Sequence, residues 1–447
     1  MNQAALPLWL ALPFAGLLLS IALGPILARR IWHVHYGWAA AAWAGLALAL
    51  MVSTEGLTAT RIALAITMLE DYLPFILMLF ALYATAGGVV VSDFDRATPR
   101  LNTLLLALGT VASGLIGATG ASMILIRPLL QANAKRHHKA HVVIFFIFLV
   151  ANIGGVLTPL GNPPLFFGFL SGVDFFWPLR TLWPHLLLTA VLVLAIFYLI
   201  DTYYARRELK GEASPIDNGE TASLAIRGLP NLALILGAVC AILTSAIWHP
   251  GIAFDVFGAK LELQNILRDA ALAVIGLASL AITSEADRAA NHFSWEPLEE
   301  VAKLFAAIFV TIIPVMQMLA ANSHGPFAPI IALLRHADGS PNNAAYFWAS
   351  GLLSSFLDNG PTYLVFFIAA GGHAATLMGP MTKTLAAISL GAVFMGALTY
   401  IGNAPNFIVY ALARRARVDM PGFFGYILWS GAILVPVFIV ITLVFFR

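Results

Sequence analysis

Apolar runs alternate with short polar loops from one end of the chain to the other. A run of about 20 residues is long enough, as an α-helix, to cross a hydrocarbon layer about 30 Å thick. We therefore expect an all-α polytopic membrane protein with about ten crossings. The runs cover residues 6–28, 36–54, 72–92, 141–171, 182–203, 229–248, 268–284, 299–321, 384–413 and 421–446.

Two further apolar segments carry a small, polar cluster near the middle. Residues 103–132 contain GATGAS (117–122), and residues 346–371 contain LDNGPT (357–362). A segment that turns back at such a cluster enters and leaves the bilayer on the same side, with its irregular backbone shielded by protein. The sequence predicts two re-entrant hairpins, in addition to the crossings.

Composition and charge agree with this architecture. The chain has 447 residues, of which 60% are hydrophobic and 10% are charged, and a soluble core would not bury that much apolar surface. Lysine and arginine favour cytoplasmic loops. If both termini lie outside, the cytoplasmic loops hold 15 of the 24 lysine and arginine residues. The basic residues lie between apolar spans, which gives no reason to expect nucleic-acid binding. We expect a multi-pass protein of a bacterial-type inner membrane.

The two halves of the chain resemble each other. TPLGNPPLFFGFL from Thr158 matches TYIGNAPNFIVYAL from Thr399 at an offset of 241 residues, and TGASM from Thr119 matches NGPTY from Asn359. Because each half contains an odd number of crossings, the second half would lie upside down relative to the first. The pattern predicts two inverted repeats with paired hairpins and broken helices. They cover residues 1–203 and 229–447, with a cytoplasmic linker over 204–228.

Each Gly-Asn pair is expected to break its helix at membrane depth. Gly161 permits a turn and Pro163 cannot continue a helix, and unwound backbone at this depth is tolerated where it lines a cavity. Freed carbonyls and the Asn162 amide can bind a cation, and N–H groups that start the next half-helix can hold an anion. The candidate binding residues of the two breaks are Thr158, Gly161, Asn162, Pro163, Thr399, Gly402, Asn403 and Asn406.

Asp358 in the second hairpin is the sharpest single candidate. A carboxylate in an apolar segment costs about 2.5–3.5 kcal/mol on insertion scales, so it needs a partner or a function. It could bind Na⁺ when ionised and carry a proton when neutral, or it could only cap a helix. The equivalent residue of the first hairpin is Ala118, so a second carboxylate site is not indicated. The hairpin candidates are Thr119, Gly120, Ser122, Asp358, Asn359, Gly360 and Thr362, and the Na⁺ candidates are Asp358, Asn359, Asn403 and Asn162.

Other polar residues have structural interpretations. Arg127 could contact an anionic substrate, but we favour an extension towards the cytoplasmic headgroups together with Lys135 and Arg136. The sequence KRHHKAH (135–141) indicates a basic cytoplasmic loop with lipid contact rather than a metal site. Asn152 is expected to form an interhelical hydrogen bond.

Three motifs carry a resemblance to a known family. FIFLVANIGGVLTPLGNPPLFFGFL (146–170), SSFLDNGPTYLVFF (354–367) and TYIGNAPNFIVYAL (399–412) resemble the ion transporter superfamily. That superfamily includes NhaD-type sodium/proton antiporters, arsenite permeases, and citrate and divalent-anion symporters. The resemblance implies scaffold helices and a mobile unit in each half, a transport function, and a homodimer.

Several functions stay open on the sequence alone. Asp358, with about one basic residue near the proposed site, favours a sodium/proton antiporter with alternating access. The alternative is a carrier of citrate or a dicarboxylate coupled to Na⁺ or H⁺. Arsenite or other oxyanion efflux is less favoured, because the chain has one cysteine. We see no Ser/His, paired-Asp or HExxH set at membrane depth, so we expect no enzyme and no cofactor apart from the coupling ions Na⁺ and H⁺.

Overall fold

The protein is described here by a computed structural model that covers residues 6–92, 97–211, 225–291, 293–321 and 325–447. Within these ranges, eight helices are long and apolar enough to cross a membrane. Shorter apolar helices cover Leu8–Gly24, Ala140–Val156 and Thr382–Leu398. The expected all-α polytopic membrane fold is confirmed.

The helices follow one another with short connections. The first half contains α1 (Leu12–Leu27), α2 (Arg29–Glu55), α3 (Leu57–Ile66), α4 (Leu73–Ala86), β1 (Val90–Ser92), α5 (Pro99–Ile116), α6 (Ala118–Ala132), α7 (Ala140–Leu149), α8 (Pro163–Leu170) and α9 (Trp177–Gly211). The second half contains β2 (Ala225–Arg227), α10 (Leu229–Ile247), β3 (Ala253–Val256), β4 (Ala259–Glu262), α11 (Leu263–Ile282), α12 (Glu285–Ala290), α13 (Glu296–Ala320), α14 (Ala328–Ala332), α15 (Asn343–Phe356), α16 (Asn359–Ala369), α17 (Ala374–Met378), α18 (Thr382–Phe394), α19 (Ala404–Arg415) and α20 (Phe423–Phe445).

The third crossing differs from the expected residues 72–92. A continuous helical stretch runs from Leu57 to Ala86 and includes a π-helical turn over Thr67–Tyr72. The acidic residue Glu70 lies inside this stretch, in the π-helical turn. Its carboxylate accepts a hydrogen bond from the backbone N–H of Lys260 in β4, at 2.9 Å. Residues 57–69, which precede Glu70, form more than three turns of the same helical stretch.

The predicted linker over 204–228 is partly regular structure. Residues 204–211 continue α9, and β2 pairs antiparallel with β1, with Val90 opposite Arg227. Residues 212–224 lie outside the described residues. The short sheet holds the connection after α4 against the start of the second half.

Both predicted hairpins turn at the polar cluster. In the first, α5 and α6 meet at Gly117, whose φ of 84° is in the left-handed region that glycine tolerates. The N–H of Ala97 donates to the carbonyl of Ala132 at 3.0 Å, so the two open ends lie together. In the second hairpin, α15 and α16 meet at Asp358. The rings of Tyr346 and Phe366, near the open ends, are in edge contact.

The second arm of each hairpin contacts the broken helix of the other half. Helix α6 packs against α19, and α16 packs against α8. The helices α16 and α8 approach closely at Gly360, where an added Cβ would lie 2.5 Å from the ring of Phe167 and 3.3 Å from Pro163. This crossed packing brings the hairpin tips and the helix breaks to the centre of the molecule.

Candidate functional site

Close backbone packing unwinds both broken helices in the same way. A Cβ on Gly161 would lie 2.1 Å from the carbonyl oxygen of Gly155, and a Cβ on Gly402 would lie 2.8 Å from that of Gly396. Such distances are too short for any residue with a side chain. Glycine is therefore required at both breaks, where the chain reverses between two half-helices.

The two break threonines use their hydroxyl groups inside the protein. Thr158 donates through Oγ1 to the carbonyl of Gly114 at 2.6 Å, and Thr399 donates to the carbonyl of Ser355 at 2.5 Å. Both bonds span 44 residues and join a break to the first arm of its own hairpin. Thr399 Oγ1 also accepts the N–H of Gly402. These two candidates fix the geometry of the breaks.

Helix α8 offers few free donors at its N-terminus. Pro163 and Pro164 have no N–H, and the N–H groups of Leu165 and Phe166 both donate to the carbonyl of Asn162. The expectation that this half-helix holds an anion through its first N–H groups is therefore wrong for α8. Consecutive prolines remove the donors that an anion would need.

Four asparagines join the two breaks at their crossing. All four are at least 98% buried. Asn403 donates to Asn162, its repeat-related partner, at 3.1 Å, and Asn152 donates to Asn406 at 2.7 Å. Asn152 thus forms the interhelical hydrogen bonds expected of it. The remaining bonds run from Asn162 to Asn152 O, from Asn403 to Ala151 O and Asn152 Oδ1, from Asn152 to Ile147 O, and from Asn406 to Gly396 O and Thr399 O.

The tip of the second hairpin contains an acid and an unsatisfied amide. Asp358 is half-buried and caps α16, because its carboxylate accepts the N–H of Gly360 at 3.1 Å. Asn359 is fully buried, and neither atom of its amide has a hydrogen-bond partner among the described residues. Thr362 donates its hydroxyl to the carbonyl of Asp358. The helix cap uses one oxygen of the Asp358 carboxylate and does not involve the amide of Asn359.

The tip of the first hairpin is less polar. Ser122 is 1% exposed, and its Oγ lacks a partner within the described chain. The N–H of Ala118 donates to the carbonyl of Gly161 at 2.8 Å and so occupies one of the carbonyl groups expected to be free. Thr119 is half-buried, and a Cβ on Gly120 would meet its nearest neighbour at 3.7 Å, so this glycine is not sterically required.

The structure therefore brings part of the candidate set together. Gly360 touches Pro163, Pro163 follows Asn162, and Asn162 accepts a hydrogen bond from Asn403. Three of the candidate residues at the tips and the crossing carry buried polar atoms that have no hydrogen-bond partner in the described part of the chain: Ser122 Oγ, the Asn359 amide and Asn403 Oδ1. Buried polar groups in folded proteins are normally paired, so these three residues have hydrogen-bonding or ligand capacity that the described residues leave unused.

Arg127 lies away from this site. Its guanidinium donates to the carbonyl of Ala290 and lies 3.4 Å from Oδ1 of Asn291. The amide of Asn291 in turn donates to the carbonyls of Gly87 and Val89. The favoured extension towards the cytoplasmic headgroups stays a prediction; the guanidinium is bonded to the last residue of α12 and lies near the residue after it. The end of α12 thus gives Arg127 a backbone acceptor within the protein, the carbonyl of Ala290.

A second buried acid, Asp201, was missed from the sequence. Its carboxylate is fully buried and lies 2.5 Å from Arg136 Nη1, 2.9 Å from His141 Nε2 and 2.9 Å from Asn102 Nδ2. Arg136 and His141 thus face protein and not lipid, contrary to the expectation for residues 135–141. The signal was present, because Asp201 ends the apolar run LAIFYLID. The argument made for Asp358, that a carboxylate in an apolar segment needs a partner or a function, applies equally to Asp201.

Comparison with known proteins covers almost the whole chain. Residues 3–446 match a family model described as "Putative citrate transport". Similar proteins include uncharacterized transporters of Mycobacterium bovis and Mycobacterium tuberculosis, each 25% identical over 335 residues. These alignments cover 72% of this chain and 71% of each relative.

Proposed function

The chain belongs to the family described as "Putative citrate transport", and from this premise we propose a cation-coupled secondary active transporter with a sodium/proton exchange function. The coupling ion binds where the hairpin tips meet the crossing of the broken helices. Both termini lie outside an inner membrane, and the protein functions as a homodimer. Na⁺ and H⁺ are its coupling ions, without any other cofactor.

The observation that carries this proposal is the pair Asp358 and Asn359. The Asn359 amide is fully buried and has no partner within the described ranges, and the adjacent acid uses one oxygen as a helix cap. We interpret this pair as an incomplete coordination shell. Carboxylate, amide and backbone oxygens are the ligands that a hard cation takes in a broken-helix site. Asp358 can also bind a proton, and competition of the two cations for one carboxylate is what an exchanger requires.

The charge of the site favours a cation over a multivalent anion. The tips (117–122 and 357–362) and the breaks (157–164 and 396–406) contain no lysine or arginine. Arg127 is bonded to the last residue of α12, and the prolines of α8 remove N–H donors. A citrate anion would find little positive charge here unless Na⁺ ions entered with it.

The second candidate is Na⁺- or H⁺-coupled transport of citrate or a dicarboxylate. The family description favours this candidate. In addition, α19 begins at Ala404, which has a backbone N–H that an anion could accept, whereas α8 begins at Pro163, which has none. A Na⁺ ion bound at Asp358 could offset one carboxylate of such a substrate. The two candidates share the cation site and differ in whether an organic anion is required.

Transport by reconstituted vesicles separates the candidates. We expect an imposed Na⁺ gradient to move protons without any organic anion, as measured with a trapped pH-sensitive dye. Asp358→Asn should abolish this movement, whereas Asp338→Asn, in an exposed loop, should leave it at the wild-type rate. Na⁺-stimulated uptake of radiolabelled citrate without Na⁺-driven proton movement would instead establish the second candidate.

A further inference from the structure

The repeat-related residues Asn162 and Asn403 use their amides differently. Asn403 Nδ2 lies within hydrogen-bond distance of three acceptors: Ala151 O at 3.0 Å, Asn152 Oδ1 at 3.2 Å and Asn162 Oδ1 at 3.1 Å. Asn162 Oδ1 is one of those acceptors, and its Nδ2 donates to Asn152 O. The amide of Asn162 is therefore paired on both sides, while Asn403 is paired through its nitrogen alone.

Backbone carbonyls fix the orientation of these amides. A carbonyl oxygen accepts hydrogen bonds and never donates them. The nitrogen of Asn403 must therefore face Ala151 O, that of Asn162 must face Asn152 O, and that of Asn152 must face Ile147 O. Rotating any of the three amides by 180° would oppose two oxygens. Asn403 Oδ1 consequently points away from the cluster, and it is buried with no hydrogen-bond partner among the residues that the structure describes.

Asn152 is the source of the difference between the two halves. Its Oδ1 accepts from Asn403, its Nδ2 donates to Asn406, and its backbone carbonyl accepts from Asn162. At an offset of 241 residues the second half has Val393, which offers no polar side chain. The second half therefore cannot turn the Asn162 oxygen outward as Asn152 turns that of Asn403.

We infer that Asn403 supplies Oδ1 as a ligand oxygen to the transported cation, and that Asn162 and Asn152 are positioning residues that aim it. This inference rests on the proposed cation site. It assigns different roles to two residues that occupy equivalent positions in the two repeats. Asn403 binds the ion, and Asn162 acts only through Asn403. Because the nitrogen of the Asn403 amide donates to fixed acceptors, the amide oxygen is polarised and held in one position. It needs no reorganisation when the ion arrives.

A double-mutant cycle tests this division of roles. The apparent Kd for Na⁺ is measured by titrating NaCl, balanced with choline chloride, against the purified protein and following the shift in thermal unfolding. We expect Asn403→Ala to raise this Kd by about 100-fold or more, and Asn162→Ala and Asn152→Ala to raise it by about 10-fold, the lower end of the 10- to 100-fold that loss of an outer-shell partner costs a metal site. Each of these two variants should add less than about twofold in the Asn403→Ala background.

The control is Asn231→Ala. Asn231 is equally buried and bonded to Ser279 and Thr283, so its loss should lower the unfolding temperature without changing the Kd for Na⁺. If Asn162→Ala does not reach the membrane, Asn162→Ser carries the test, because the hydroxyl can serve Asn152 O but is too short to hold Asn403.

Additive losses in the double variants, or an unchanged Kd in Asn403→Ala, would overturn the inference while the wild type still binds Na⁺. A wild type that Na⁺ does not stabilise would overturn the proposed cation site itself, and the inference with it. The two failures are therefore distinguished by the wild-type titration.

Discussion

Arg136 Nη1 lies 2.5 Å from the carboxylate of Asp201, and both side chains are at least 90% buried. The same carboxylate is bonded to Asn102 in α5 and lies next to His141 in α7. Four chain segments therefore meet at one charge: the first arm of the first hairpin, the loop after its second arm, the start of α7, and α9. The cluster ties the open end of the hairpin to its own broken helix.

Loss of the Asp201 charge should destabilise the protein strongly. Asp201→Asn removes the fully buried partner of Arg136 and leaves Glu208, at 3.2 Å, as its remaining carboxylate. Breaking a buried pair costs about 3–5 kcal/mol, and Glu208 offsets part of that loss. We expect a clear drop in the thermal unfolding temperature of the purified protein. The matched control is Asp174→Asn, because Asp174 pairs with Arg180 on the surface at 3.7 Å. That pair should contribute at most about 1 kcal/mol. Equal shifts for the two variants would contradict a structural role for the cluster.

The glycines of the two breaks should not tolerate alanine. In Gly161→Ala the new Cβ would lie 2.1 Å from Gly155 O, and in Gly402→Ala it would lie 2.7 Å from Ser354 O. The clashing atoms belong to backbone and cannot rotate away, so we expect little monodisperse protein in size-exclusion chromatography. Gly431→Ala, in α20, meets nothing within 4 Å and should fold normally. Wild-type yields of Gly161→Ala would show that the break has a different backbone path.

The break threonines should affect stability more than ion affinity. Thr158→Val removes one hydrogen bond, to Gly114 O, whereas Thr399→Val removes the bond to Ser355 O and those accepted from Ile401 and Gly402. At about 0.5–1.5 kcal/mol for each bond, Thr399→Val should be the more destabilising of the two. The apparent Kd for Na⁺, from the same titration, should stay within about twofold of the wild type. A tenfold weaker affinity in either variant would make that hydroxyl a ligand.

The local features of the site were predictable from the sequence, and the long-range pairings were not. Glycine and proline indicate the breaks because their effect on the backbone conformation is a property of the residue itself. The offset of 241 residues relates Asn162 to Asn403. The contact between those two side chains also needs the crossing of the halves. The bond of Asn102 to Asp201 spans 99 residues, and that of Lys260 to Glu70 spans 190. Such partners depend on tertiary packing, which periodicity does not report.

The orientation of the second half can be read from two opposite ends of α11. Ala253 in β3 precedes this 20-residue helix and Glu285 in α12 follows it, so a bilayer should separate the two positions. Asn291 is bonded to the carbonyls of Gly87 and Val89, which puts the end with Glu285 beside the loop after α4. The distribution of basic residues predicts that this end is cytoplasmic.

Cysteine labelling tests this orientation. The one native cysteine, Cys240, is replaced by alanine, and Ala253→Cys and Glu285→Cys are introduced separately at exposed positions. A membrane-impermeant maleimide should label Ala253→Cys in intact cells and should label Glu285→Cys only after permeabilisation. The reverse pattern would place both termini inside, and labelling of both variants in intact cells would mean that α11 does not cross. Because the first half has its own external position at Glu55, which ends α2, Glu55→Cys should label like Ala253→Cys. Agreement of these two positions is required if the halves are inverted repeats with both ends outside.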